Sequence, residues 1–179
     1  MSLRADVIEY LTAADDHLDR LDDLAERHDL DVAVDDLPER SDFDGPAALD
    51  GSDDLQPLER DLVWRCWTLD RIPLGLTLSG PAYQDNPLLY ATRTFRELTG
   101  YSMERLRGEN PRLLQGPDTE PEPVSDLREA IDIWERVTVE LRNYRRDGTP
   151  FRNRVTLVPI PGADGTVRNW IGVQEVVEE

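Results

Sequence analysis

The sequence predicts an α+β domain built on an antiparallel sheet and preceded by a helical N-terminal extension. Three observations predict it. Apolar residues recur at helical spacing in the N-terminal third, and from Leu74 the repeat shortens to two. Beyond that point strand-like runs come as a pair, then short helical segments, then three more strands.

Val7, Leu11, Ala14, Leu18, Leu21 and Ala25 alternate at spacings of four and three, which predicts an acidic amphipathic helix over 1–28. That stripe fits a short coiled-coil seam and equally well a helix packed on its own domain. Residues 29–56 are Asp-rich with scattered Pro and Gly and read as a linker. Leu55, Leu58, Leu62, Cys66 and Leu69 mark a flanking helix within 57–72, stopped by Pro73. The main domain is expected over 73–179. Its strands are predicted near 74–78, 86–92, 136–145, 151–160 and 167–177, with helices ended by Gly100 and Gly108. Thr119 and Glu122 have the spacing of a capping box before Val124, Leu127 and Ile131.

Charge narrows the function. The chain has 38 acids and 20 bases, and every base is Arg. Residues 1–60 hold 19 acids and 5 Arg, a net of −14, which leaves −4 of the total −18 for the rest. Such an excess repels nucleic acid and anionic lipid, so neither is an expected partner. It is tolerated in concentrated salt, where the Debye length falls to about 3 Å at 1 M; the composition is halophile-like. One cysteine excludes an internal disulfide, and His17 and His28 both fall in the acidic extension, away from any zinc-type cluster. With no signal peptide and no bilayer-length apolar run, a soluble cytoplasmic protein is expected.

Polar residues on apolar strand faces are the site signal. Val137, Val139, Leu141 and Asn143 share a face, as do Phe151, Asn153, Val155 and Leu157. For these faces to coincide, the connection at Gly148 must be an odd loop or carry a bulge. Two inward amides on neighbouring strands suit a planar ring with donors and acceptors at its edge, or else sit at the sheet margin on water. Trp170, Gly172 and Gln174 line one face of the last strand, and Gly172 leaves room for a flat ligand. Arg128 borders the apolar stripe of its helix, where it fits a phosphate clamp with Arg112 or a surface pairing with Glu122 or Asp132.

The string GENPRLLQG (108–116), with PDTEPEPVSDLREAI, VTVELRNYRRDGTPFRNRVTLVP and NWIGVQ after it, resembles the light-oxygen-voltage (LOV) subclass of PAS sensory domains from about Thr77 to Val176. The resemblance implies a five-stranded antiparallel sheet with short helices on one face, cradling FMN. It places ribityl and phosphate contacts on Asn110, Arg112, Gln115 and Arg128, and pyrimidine-edge amides on Asn143 and Asn153. Ring packing falls on Thr77, Leu114, Val124, Leu127, Ile131, Val155, Leu157 and Trp170. Ser79 and Asn86 are further contacts, and Gln174 is the amide beside flavin N5. Leu113 and Arg152 replace the family's usual Phe and Trp.

One departure changes the chemistry. Pro111 stands where LOV photoreceptors carry the cysteine that adds to the flavin, so no adduct is expected there. Cys66 lies in the helix before the domain and reads as a small buried hydrophobe. The function implied is a non-enzymatic sensor in which blue light or a reductant converts FMN to the neutral semiquinone and Gln174 reorients. Trp64, Trp67, Trp170, Tyr101 and Tyr144 are candidate electron donors. A homodimer through the N-terminal helices and a downstream signalling partner are expected. The alternative is a flavin-free PAS module for dimerisation or protein–protein contact through residues 1–72.

Overall fold

The structure is a computed structural model that describes residues 2–14, 18–32, 34–38 and 55–178. Helix α1 (Leu3–Thr12) and helix α2 (Leu18–His28) are followed by α3 (Pro57–Thr68). Strand β1 (Gly75–Ser79) and β2 (Leu88–Ala91) form a hairpin, joined by a short 3-10 turn at Ala82–Gln84. Then come α4 (Arg93–Thr99), α5 (Met103–Leu106), a 3-10 turn at Pro111–Leu114 and α6 (Pro121–Ile133). Strands β3 (Val137–Tyr144), β4 (Pro150–Pro161) and β5 (Val167–Val177) close the chain. The sheet is antiparallel throughout, in the order β2-β1-β5-β4-β3. The first and last strands of the domain therefore lie side by side at its centre, and the α+β class with five strands is borne out.

The register explains which residues face inward. Tyr144 pairs with Pro150, so five residues connect β3 to β4, with Gly148 at φ +88°. This odd loop puts Leu141 opposite Asn153 and Asn143 opposite Phe151, and the apolar faces coincide. On β1 and β5 the inward set is Thr77, Ser79, Trp170, Gly172 and Gln174, with Thr77 directly opposite Gly172.

The outward set of the same strands belongs to the larger core. Leu76, Leu78, Val158, Ile160, Ile171 and Val173 pack in one buried cluster with Val7, Leu11, Leu21, Leu62, Cys66 and Leu69 of the three N-terminal helices. Arg4 of α1 fastens this layer to the sheet. Its guanidinium donates to Thr156 Oγ1 (2.6 Å), Val173 O (3.1 Å) and Arg154 O (3.0 Å), and pairs with Glu175 (3.0 Å). The inner face holds only a small cluster of Val139, Leu141 and Val155 with Val124 and Leu127.

Several sequence expectations need correction. The single helix over 1–28 is two helices, since α1 ends at Thr12 with Ala13 in extended conformation. Reversing the chain lets Val7 and Leu11 of α1 and Leu21 of α2 reach the same core, all fully buried. Val7, Leu11 and Leu21 of the stripe are thus used inside this chain, which favours packing on its own domain, while Ala14 is exposed. The linker 29–56 is not free along its length: Leu30, Val32, Val34, Leu37 and Leu55 pack on the core, while 39–54 lies outside the described residues. Helix α3 stops at Thr68, before Pro73, with the Leu69 N–H turned back on Cys66 and Trp67 carbonyls. The capping box is absent. Helix α6 is capped at Glu120, and the Thr119 hydroxyl instead donates to Arg142 O (2.6 Å) and accepts from Gly116 N (2.9 Å).

Candidate functional site

Between the inner sheet face and the helical side lies a cavity of about 310 Å³, a size that suits a small-molecule ligand. All seventeen residues that the family resemblance assigned to flavin contacts border it, whereas Gly172, Tyr101, Tyr144, Trp64 and Trp67 do not. Strand β1 contributes Thr77 and Ser79; Asn86 follows the first 3-10 turn. The second turn brings Asn110, Arg112, Leu114 and Gln115, and α6 brings Val124, Leu127, Arg128 and Ile131. The sheet supplies Asn143 from β3, Asn153, Val155 and Leu157 from β4, and Trp170 and Gln174 from β5.

The turn that carries the polar arm is built by its own sequence. Asn110 Oδ1 accepts from the Arg112 N–H (2.8 Å), and Asn110 Nδ2 donates to Asp85 O (2.8 Å). Pro111 occupies the first position of the turn, where a missing N–H costs nothing and the fixed φ is already helical. Proline is therefore locally well placed, and Pro111 itself lines the cavity.

Two arginines on the helical side differ sharply. Both fork nitrogens of Arg112 bond to the Asp85 carboxylate, Nη1 at 2.9 Å. That guanidinium is the main cause holding the Asp85 carboxyl below its ordinary range. Arg128 is exposed and makes no ion pair with a described residue, so neither Glu122 nor Asp132 holds it. Asp85 sits in left-handed conformation (φ 68°), followed by Asn86 (φ 46°), and Asn86 Nδ2 donates to Gly80 O (3.1 Å).

At the sheet end, Asn153 Nδ2 donates to Asn143 Oδ1 (2.9 Å). Asn153 is 1% exposed, and its Oδ1 has no hydrogen-bond partner. An unpaired buried acceptor of this kind costs about 1–3 kcal/mol. Asn153 itself lines the cavity.

Gln174 is also buried, and its amide lies against Thr77 Oγ1 at 3.3 Å. With Nε2 on that hydroxyl, the amide oxygen faces only carbonyls. Turned over, Nε2 donates to Gly75 O (2.7 Å) and Gly172 O (3.3 Å), and Oε1 accepts from Thr77. We assign this second orientation because it satisfies both ends of the amide. Gly172 is what makes room: a Cβ there would stand 2.4 Å from Thr77 Oγ1 and 2.7 Å from Gln174 Nε2.

Sequence reading missed Ala82, Asp85, Asp132 and Leu141 as cavity residues. Leu141 was legible, since it shares the face of Asn143. Asp85 was not, because its partner Arg112 lies 27 residues away. Cys66 is absent from the cavity; it is buried in α3, and burial pushes its thiol up to about 12. No group of His, Cys, Asp and Glu suited to a metal occurs among the described residues.

The donor set fits a flavin. A ring edge offering an N–H between two carbonyls suits the amides of Asn153 and Asn143, and Arg128 is available for a phosphate. The room expected at Gly172 is taken by Thr77 and Gln174, not left for a flat ligand.

The profile of the PAS domain family matches residues 75–175. Blue-light-activated histidine kinase 1 of Erythrobacter litoralis (strain HTCC2594) is 44% identical over 107 residues, 60% of this chain and 30% of that protein. The bacterioopsin transcriptional activator of Halobacterium salinarum is 41% identical over 111 residues, 62% of this chain and 16% of that protein. The chain thus spans less than a third of the length of these curated relatives. Among solved structures, the LOV domain of a blue-light activated histidine kinase from Erythrobacter litoralis is 37% identical with a TM-score of 0.58, over 61% of this chain and 100% of that one. Sheet order, cavity and these likenesses agree: the chain belongs to the PAS domain family, in its LOV branch.

Proposed function

We propose that the chain is the sensory part of a cytoplasmic signalling protein, binding FMN in this cavity and responding to blue light or redox state without a cysteinyl adduct. The observation that carries this reading is the buried, unpaired Oδ1 of Asn153, a residue that lines a cavity whose lining includes no cysteine. A bound flavin supplies an electron acceptor whose N5 changes from hydrogen-bond acceptor to donor on reduction and protonation. Every other part of the response belongs to the chain.

Asn143 and Asn153 orient the ring edge, and the walls from α6 and β4 exclude water. Arg128 and the Arg112 fork hold the phosphate. In its assigned setting Gln174 donates from Nε2 to Gly75 O and Gly172 O and accepts at Oε1 from Thr77. The opposite setting keeps the Thr77 contact but turns the amide oxygen onto the two carbonyls, so it needs a new donor such as a protonated N5. Rotation of that amide therefore re-pairs the two central strands. Pro111 offers no nucleophile, and Cys66 is too deeply buried to act as one.

The relatives named as a histidine kinase and a transcriptional activator support a downstream signalling partner. No described helix is long and apolar enough to cross a membrane. The homodimer through the N-terminal helices belongs to the same reading and uses surface other than Val7, Leu11 and Leu21. The halophile-like composition fits the same reading of the cytoplasm.

Illumination of the flavin-loaded chain tests the proposal. Flavin reduction is expected in the wild type and in Cys66→Ser alike, with the accompanying conformational change lost in Gln174→Leu. A light response abolished by Cys66→Ser contradicts adduct-free chemistry. The flavin-free alternative draws on one observation, that Asn143 with Asn153 and Arg112 with Asp85 partly satisfy one another.

A further inference from the structure

We propose that salt regulates which flavin this cavity holds: FMN binds more tightly as ionic strength rises, while unphosphorylated riboflavin gains far less. This rests on the flavin-site reading above. Ordinarily salt weakens an arginine–phosphate contact. Here the charges around the cavity reverse that sign.

Four charged side chains border the helical side of the cavity: Arg112, Arg128, Asp85 and Asp132. Their formal charges cancel. The Arg112 fork is engaged by Asp85, which leaves Arg128 as the cation at the cavity that has no ion-pair partner among the described residues. Helix α6, which presents Arg128, also exposes Glu122, Asp126 and Glu129. Beyond it, residues 61–179 carry −4 of the chain's −18, and the rest lies in residues 1–60. A phosphate dianion approaching Arg128 therefore meets one contact attraction and a broad repulsion from carboxylates farther off.

These two terms have different ranges. The Debye length shortens from about 10 Å at 0.1 M salt to about 3 Å at 1 M. Repulsion from carboxylates that do not touch the phosphate is weakened first, whereas a guanidinium touching a phosphate oxygen keeps most of its attraction. Salt acts a second time on the Asp85–Arg112 pair. Its side chains are 62% and 58% exposed, so the pair is readily screened. Loosening it frees a second fork for the phosphate. Riboflavin has the same ring and chain but no charge, so neither effect reaches it.

The test is a pair of fluorescence titrations of the full chain, with FMN and with riboflavin, at 0.1 M and 1 M KCl. A Kd for FMN that falls about threefold to tenfold with salt, against a smaller change for riboflavin, is the expected result. Weaker FMN binding at high salt, or equal gains for both flavins, overturns the proposal. The double variant Asp126→Asn, Glu129→Gln gives an arm independent of salt. Compared at the lowest salt where circular dichroism reports the folded chain, it is expected to bind FMN tighter than wild type and riboflavin equally. An unchanged FMN Kd in that variant also overturns the proposal. Failure of both flavins to bind at any salt defeats the flavin-site reading itself, which is a separate outcome.

Discussion

Asn153 shows how one side chain is committed to a ligand rather than to stability. Its Nδ2 is used by Asn143, but its Oδ1 is buried without a partner. The folded chain bears that cost and recovers it only when a donor enters the cavity. Asn153→Leu is therefore expected to reduce flavin affinity at least about tenfold while changing the melting temperature little, since the unpaired Asn153 oxygen is removed but the Asn143 oxygen loses its donor. Titration and thermal melting of the same sample check both halves. Both amides were legible as inward residues from strand parity alone. Their bond to each other was not, because they are diagonal rather than opposed and the five-residue loop sets that offset. The Asp85–Arg112 pair was hidden for a related reason, since no periodicity links a hairpin turn to a distant 3-10 turn.

At the scale of elements, α6 owes its placement to Glu120. The carboxylate accepts from the Arg142 N–H (2.9 Å) on β3 and pairs with Arg152 on β4, and these contacts, the backbone donor first, lower its pKa to about 2. A carboxyl depressed in the folded state stabilises above its ordinary value of 4.5 and ceases to do so as pH falls towards 2. Stability is thus expected to decline through that window, by about 1 kcal/mol from this group once screening of a partly exposed carboxylate is allowed for. Thermal melts from pH 6 to pH 2 should show a shallower decline in Glu120→Gln; identical slopes would remove the anchoring role. Element boundaries in the sheet were legible because period two is a strong signal over 137–143 and 151–157. The break between α1 and α2 was not, because Val7, Leu11 and Leu21 keep one helical spacing across it. The antiparallel placement shows in the structure, where Asp6 meets Arg27 and His28 while Glu9 meets Arg20.

Over the whole molecule, the sheet separates two environments. Its outer face carries the main core under α1, α2 and α3, clasped by Arg4, and supplies the packing. The inner face is thinly packed, which leaves space for a ligand beside three buried carboxamides. Stability and binding are in this way assigned to opposite sides of the same five strands. The acidic charge is concentrated in the N-terminal part, while the domain that forms the cavity is nearly balanced. Equilibrium titration of FMN with the purified chain, followed by flavin fluorescence, tests the central claim most directly. Saturable one-to-one binding that disappears in the double variant Asn143→Leu, Asn153→Leu is the predicted result; no binding by the wild-type chain, or binding indifferent to those substitutions, would contradict it.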